Sequence, residues 1–259
     1  MKKLEITYRG KPLQISYFLR RGRKETVVYL HGLGCTKTDF LNALQVESLQ
    51  AHTLIGLDFP GHGESSYSEN LGMDDLVEIT NLFAEKFNLG HFTLIGHSMG
   101  GLVALLYAEK YAEKVKAFIN IEGNLNADDC FFSREVIKHS YEDFLNHGFD
   151  KIKQVVAAKK NTGFQTYVNH LQKMNPQAYY DYCPSMTEYS THGNLINKFI
   201  ELKMPKLFIY GSENEHLSYL EQLRDNGIQV AEITGSNHWP MLDNPQEFYN
   251  VISNFLNKV

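Results

Sequence analysis

Ser98 lies between two glycines, in Gly96-His97-Ser98-Met99-Gly100. The apolar run His91-Phe92-Thr93-Leu94-Ile95 before it predicts a buried strand, and the run from Leu102 to Ala112 after it predicts a helix. A serine flanked in this way at a strand-to-helix junction fits a nucleophile elbow. To push its hydroxyl clear of the turn, such a serine must adopt a strained backbone conformation. The chain then doubles back so tightly that side chains two positions to either side would collide, and glycine fits there. A serine hydroxyl is a feeble nucleophile at neutral pH, so the chemistry also requires a base within hydrogen-bond reach.

The elements that would position such a group alternate along the chain. Glu5–Tyr8 and Leu13–Phe18 alternate in polarity about Gly10-Lys11-Pro12 and predict a hairpin. Thr26–Leu30 and His52–Leu57 read as strands covered on both faces. Helices are expected from about Thr38 to Leu49 and over Leu76, Ile79, Phe83 and Phe87. Val115–Ile121 is a further strand, ending at Glu122-Gly123-Asn124. From Asn124 to Ile200 the alternation stops, and amphipathic helical stretches rich in Phe and Tyr replace it, as in an inserted helical cap. Alternation resumes with Lys206–Tyr210, a helix through Leu217–Leu223 and the strand Ile228–Ile233. Gly235–Pro240 reads as a loop. Asn244-Pro245-Gln246-Glu247 then supplies an N-cap, a proline at the first helical position and an acid at the third.

Repeated βα units imply a parallel sheet, with sites beyond the carboxyl ends of the strands. His31-Gly32, Ser98, Glu122, Asn214 and His238 all fall there, which points to one active site. Composition sets outer bounds. The 259 residues are 43% hydrophobic and 21% charged, as in an ordinary globular chain, and the net charge of −5 carries no long run of one sign. That argues against a nucleic-acid surface. Three scattered cysteines and no CxxC pair offer neither a disulfide framework nor a structural zinc, so no metal and no cofactor are expected. No secretory leader and no run long enough to span a bilayer is recognised, so a cytoplasmic location is the default expectation.

Four motifs occur in order. They are His31-Gly32-Leu33-Gly34 after a strand, Asp58-Phe59-Pro60-Gly61-His62-Gly63-Glu64-Ser65, the Gly96–Gly100 elbow, and Gly235-Ser236-Asn237-His238-Trp239-Pro240 before the last helix. Together they resemble the α/β-hydrolase family. The resemblance implies an α/β fold with an eight-stranded, mostly parallel sheet, helices on both faces and a cap inserted after the sixth strand. The expected division is a core of residues 1–123 and 201–259 with a cap of residues 124–200.

It also implies roles. Ser98 would be the nucleophile and His238 its base. The backbone N–H groups of Leu33 and Met99 would form the oxyanion hole. His97 is expected to pack, and His31 and His62 to brace loops. The family's usual aspartate falls on Gly211-Ser212-Glu213-Asn214, where Asn214 carries no charge. Glu122, at the end of the sixth strand, is favoured as the acid, with Glu213 and Glu215 as alternatives. Haloalkane dehalogenases and epoxide hydrolases resemble the fold but carry aspartate at the elbow, so Ser98 speaks against both. The expected activity is hydrolysis of a carboxylic ester, or a related acyl bond, of a small to medium apolar small-molecule substrate through an acyl-enzyme. A C–C or lactone hydrolase on the same triad is the second expectation. A non-catalytic ligand-binding homologue is the third, and oligomeric state stays open.

Overall fold

The computed structural model describes all 259 residues. Eight strands build one sheet: β1 (Lys2–Tyr8), β2 (Lys11–Arg20), β3 (Lys24–Leu30), β4 (His52–Leu57), β5 (Phe92–His97), β6 (Val115–Ile121), β7 (Lys206–Gly211) and β8 (Gln229–Ile233). Their spatial order is β1-β2-β4-β3-β5-β6-β7-β8. β1 and β2 form the expected hairpin, turning through Arg9 and Gly10, both at positive φ. β2 also pairs antiparallel with β4, and all the remaining pairings are parallel. β5 is buried along its whole length, which explains its unbroken apolar run.

Helix α1 (Met73–Lys86) crosses from β4 to β5, and α2 (Met99–Lys110) starts directly at Ser98. Every residue of α2 from Met99 to Ala108 is buried, consistent with a helix that is apolar on all sides. Between β6 and β7 the chain is helical. It forms α3 (Phe131–Val136), α4 (Tyr141–Asp143), a π-helical turn at Phe144–Gly148, α5 (Phe149–Ala157), α6 (Thr162–Leu171), α7 (Pro176–His192) and α8 (Leu195–Glu201). After β7 come α9 (Leu220–Asp225), α10 (Pro240–Asp243) and α11 (Pro245–Leu256). At the start of α11 the Asn244 side chain accepts from the Glu247 N–H at 3.3 Å, as an N-cap should. No helix is long and apolar enough to cross a membrane.

One local expectation is corrected. The stretch from Thr38 to Leu49 is not an α-helix but two 3₁₀ segments, Lys37–Gln45 and Glu47–Leu49. Its buried side chains include Lys37, Phe40 and Ala43, spaced by three, and a 3₁₀ helix stacks residues at that interval on one face. The expected loop is present over Gly235–Trp239, and a short helix, α10, follows it with Pro240 at its start.

The glycines of the elbow are required by contact with main chain. A Cβ on Gly96 would lie 2.3 Å from the Gly100 carbonyl oxygen, and one on Gly100 would lie 2.4 Å from that of Leu30. Neither obstacle is a flexible side chain. Gly96→Ala is therefore expected to destabilise the fold by about 3 kcal/mol or more, read as a lower urea midpoint at unchanged slope. An unaltered midpoint would show that β5 and α2 can separate at no cost.

Candidate active site

The junction of β5 and α2 holds Ser98 at φ 52° and ψ −123°. A non-glycine residue in such a conformation costs roughly 1–3 kcal/mol and persists only where its surroundings fix it. They do so here. The Ser98 N–H donates to the Ile121 carbonyl at 3.0 Å, and the Ser98 carbonyl accepts from the N–H groups of Gly101 and Leu102. One residue past the end of β6, Glu122 is also at positive φ, 43°. The ends of two adjacent strands thus each carry a strained residue.

The Glu122 carboxylate is buried and fully partnered. Oε2 lies 2.7 Å from His238 Nδ1. Oε1 accepts from the Gly211 N–H at 2.7 Å. The Asn214 amide donates to both oxygens, at 3.0 and 2.8 Å. Asn214 therefore sits in the expected slot but serves as a donor to the carboxylate. Glu213 instead accepts from the Asn237 amide at 2.8 Å, and both Glu213 and Glu215 are exposed. Of the three carboxylates considered, Glu122 is the one that reaches His238.

His238 is held on its main chain as well. Its carbonyl accepts from His97 Nε2 at 2.8 Å, and its N–H donates to the Asn237 side chain at 2.7 Å. Burial holds the His97 imidazole well below its usual range, and the neighbouring His238 adds to this. His97 is therefore a neutral donor that pins the loop.

Two further imidazoles shape the loop after β3. His31 Nε2 accepts from the Phe59 N–H at 2.9 Å, and His62 Nε2 accepts from the Gly34 N–H at 3.0 Å. Each ring's Nδ1 faces a carbonyl, that of Gly32 and of Pro60 respectively. Both rings are therefore Nδ1–H tautomers, assigned from these partners. Burial keeps them neutral, taking His31 down to about 3 and His62 well below its ordinary value. The same two loops are clamped by a fully buried ion pair, Lys37 Nζ to Asp58 Oδ2 at 2.5 Å. Leu33 stands in the loop after β3, and Met99 is the first residue of α2.

Ser98, His238 and Leu33 line one small cavity of about 30 Å³, together with His97, Asp129, Phe131, Phe132, Tyr167 and Trp239. Sequence reasoning did not single out Asp129, Phe131 or Phe132 as site residues. Burial pushes the Asp129 carboxyl up to about 6 against the pull of its N–H donors Leu125 and Asn126. Asp129 lies seven residues past Glu122, beside a second acid, Asp128, and its spacing carries no signal that separates the two. The two phenylalanines carried none beyond apolarity. No cluster of three or more His, Cys, Asp or Glu side chains is arranged as a metal site.

These features meet in one known class. Residues 25–245 match the family described as the alpha/beta hydrolase fold, and the chain belongs to that family. It is 27% identical to a putative esterase/lipase 2 of Mycoplasma genitalium, over 93% of this chain and 92% of that protein. It is 25% identical to an sn-1-specific diacylglycerol lipase of Danio rerio, over 95% and 84%. A solved carboxylesterase structure from the thaumarchaeon Nitrososphaera gargenis superposes with a TM-score of 0.81, at 17% identity and 98% coverage of both chains. The chain is accordingly a hydrolase, which sets aside the expectation of a binding protein without activity.

In the 3₁₀ segment after β3, Asp39 is buried, and its Oδ1 lies 3.3 Å from His170 Nδ1 on α6. Burial, reinforced by the Asp58 charge, pushes the Asp39 carboxyl up to about 8, and burial takes His170 down to about 4. Asp39 thus keeps in the folded state a proton that the unfolded chain has released. The associated stability is whole near pH 4 and drains away as pH rises through about 8. The depressed histidines act only below about 6.5, in the opposite sense. Between pH 6.5 and 8 the Asp39 contribution should fall by about 2 kcal/mol. Asp39→Asn removes this dependence, so urea titrations at the two pH values should show the variant gaining that much on the wild type. An equal pH slope in both proteins would rule out a protonated Asp39.

Proposed function

We propose that this chain is a serine hydrolase that cleaves carboxylic esters of small molecules, with Ser98, His238 and Glu122 as its triad. The strongest support is the 2.7 Å bond between His238 Nδ1 and a buried, fully partnered Glu122 carboxylate, in a ring that shares its cavity with Ser98. Relatives named for esterase/lipase and diacylglycerol lipase activity support an ester as the bond attacked. Glu122 accepts the Nδ1 proton, which fixes the tautomer and leaves Nε2 free to take the proton of Ser98 Oγ. Oγ attacks the ester carbonyl, and the resulting oxyanion is met by the N–H groups of Leu33 and Met99, each such donor being typically worth about 3 kcal/mol. His238 then hands its proton to the departing alkoxide, leaving an acyl-enzyme. Water repeats the sequence in reverse to release the acid. In this scheme residues 124–200 act as the cap over the site.

Asn214 keeps Glu122 aimed by donating to it, and the Gly211 N–H does the same from the other side. A fluorophosphonate probe is expected to label the wild type stoichiometrically and Ser98→Ala not at all. Glu122→Gln should lower kcat on p-nitrophenyl butyrate by about 10²–10⁴ while the melting curve stays cooperative. Glu213→Gln and Glu215→Gln should stay near wild type. Wild-type turnover in Glu122→Gln would remove that residue from the triad.

A further inference from the structure

Helix α6 is fastened at its two ends to the two loops on which the proposed chemistry depends. In its first turn the Gly163 N–H donates to Asp243 Oδ1 at 2.7 Å. The other oxygen of Asp243 accepts from the Asn237 N–H at 3.1 Å, one residue before His238. In its last turn His170 meets the segment that follows Leu33. His170 Nε2 lies 3.1 Å from Thr38 Oγ1 and 3.4 Å from Thr36 Oγ1, and Nδ1 lies 3.3 Å from Asp39 Oδ1. The two fastenings are about 10 Å apart along the helix axis.

Between them α6 bears directly on the loop after β3. Gly34 stands at φ 72°, and a Cβ there would come within 2.7 Å of the Tyr167 ring and 2.8 Å of Leu171 Cδ2. Tyr167 also packs on Trp239, with ring centroids 5.0 Å apart, and Trp239 Nε1–H donates to Cys35 Sγ at 3.3 Å. Leu33, Cys35, Tyr167, Trp239 and His238 all line the cavity at Ser98. A movement of α6 therefore reaches the Leu33–Cys35 turn with no free space to absorb it.

Resting on the serine-hydrolase reading, we propose that His170 is a positioning residue for the oxyanion hole, its contacts with Thr38 and Asp39 seating α6 against the loop that carries the Leu33 N–H. The contacts of Tyr167 and Leu171 are apolar and have no preferred direction, so they let α6 slide. Those of His170 are polar and directional. Asp39 is costly to bury, because no backbone N–H meets either of its oxygens. An apolar residue would fill its place at lower cost but would give α6 no fixed seat. An oxyanion donor acts only within a few tenths of an ångström of its proper place, and only after the hydroxyl has attacked. Loss of the seat should therefore slow turnover and leave substrate binding alone.

His170→Ala should lower kcat on p-nitrophenyl butyrate about 10- to 100-fold, with KM within about twofold of wild type. Phosphonylation by fluorophosphonate also builds charge on oxygen at this site. It should slow by a similar factor and still reach one label per chain. Asp39→Ala should behave like His170→Ala. Asp39→Asn, whose amide can donate to Nδ1, should restore kcat to within about threefold of wild type. Val251→Ala, at a partly buried position on α11, is the control for lost stability and should keep wild-type kcat at a comparably lowered melting temperature. Should His170→Ala not fold, Thr38→Val removes the hydroxyl at similar shape and should lower kcat about threefold or more, again at constant KM. An unchanged kcat in the variant that folds, a change confined to KM, equal losses in Asp39→Ala and Asp39→Asn, or an equal loss in Val251→Ala would each overturn the positioning role. Failure of the wild type to react with fluorophosphonate would instead sink the serine-hydrolase reading, and this inference with it.

Discussion

One buried carboxylate ties the carboxyl edge of the sheet together. Glu122 begins the connection after β6, takes a hydrogen bond from the end of β7 through Gly211, another pair from Asn214, and a third partner from the loop after β8 in His238. An ionised group removed from water loses several kcal/mol of solvation. Hydrogen bonds to a charge, each worth about 1.5–3 kcal/mol, recover it only if every oxygen is met. The full set of donors offsets the cost of burying the carboxylate. It also fixes three strand ends relative to each other. The strained backbone of Ser98 depends on the same edge, since its N–H is held by Ile121, the residue before Glu122.

Around this edge, charge is confined to places that can neutralise it. Lys37 and Asp58 are both nearly inaccessible, yet they pair with each other, and Asp58 also accepts from the N–H groups of Lys37 and Glu64. His31, His62 and His97 are buried without a carboxylate partner and stay neutral, each using one nitrogen to hold a loop. His238 differs from them in having Glu122 beside it. Among these four rings, His238 is the one that pairs with a buried carboxylate and also lines the cavity at Ser98.

Much of this was legible in the chain, for identifiable reasons. β5 and the elbow were visible because main-chain crowding admits only glycine at positions 96 and 100, and that constraint leaves a spaced pair in the sequence. Glu122 could be weighed because Asn214 lacks the charge its slot usually carries. What Asn214 does instead was not legible. An amide as acceptor and an amide as donor look alike until the partner is placed. The 3₁₀ segments after β3 were read as one helix because the apolar spacing of Phe40 and Ala43 suits either winding, and the burial of Lys37 that decides between them comes from Asp58, 21 positions on. The proximity of Asp39 to His170 joins residues far apart in the chain, and neither carries a local signal for it.

The helical segment over the site divides by how it is attached. α7 and its approach are tied to core loops by specific bonds: Tyr182 to the Pro60 carbonyl, the Asp181 carboxylate to Tyr67 and the Asn70 N–H, and the Ser185 hydroxyl to the Met73 N–H. α6 is tied by the Gly163 N–H to Asp243 and by His170 to Thr38. Those bonds have directions, and they fix where the rear wall of the cavity stands. The walls from α3 to α5 are joined mainly by rings and aliphatic side chains, as where Phe144 meets Phe149 and Tyr179. Apolar contact has no preferred direction and tolerates changes of shape at small cost. The cavity at Ser98 thus has directional polar attachment along α6 and α7 and mainly apolar packing along α3 to α5. Along residues 124–200 the apolar walls come first, in α3 to α5, and the polar attachments follow in α6 and α7.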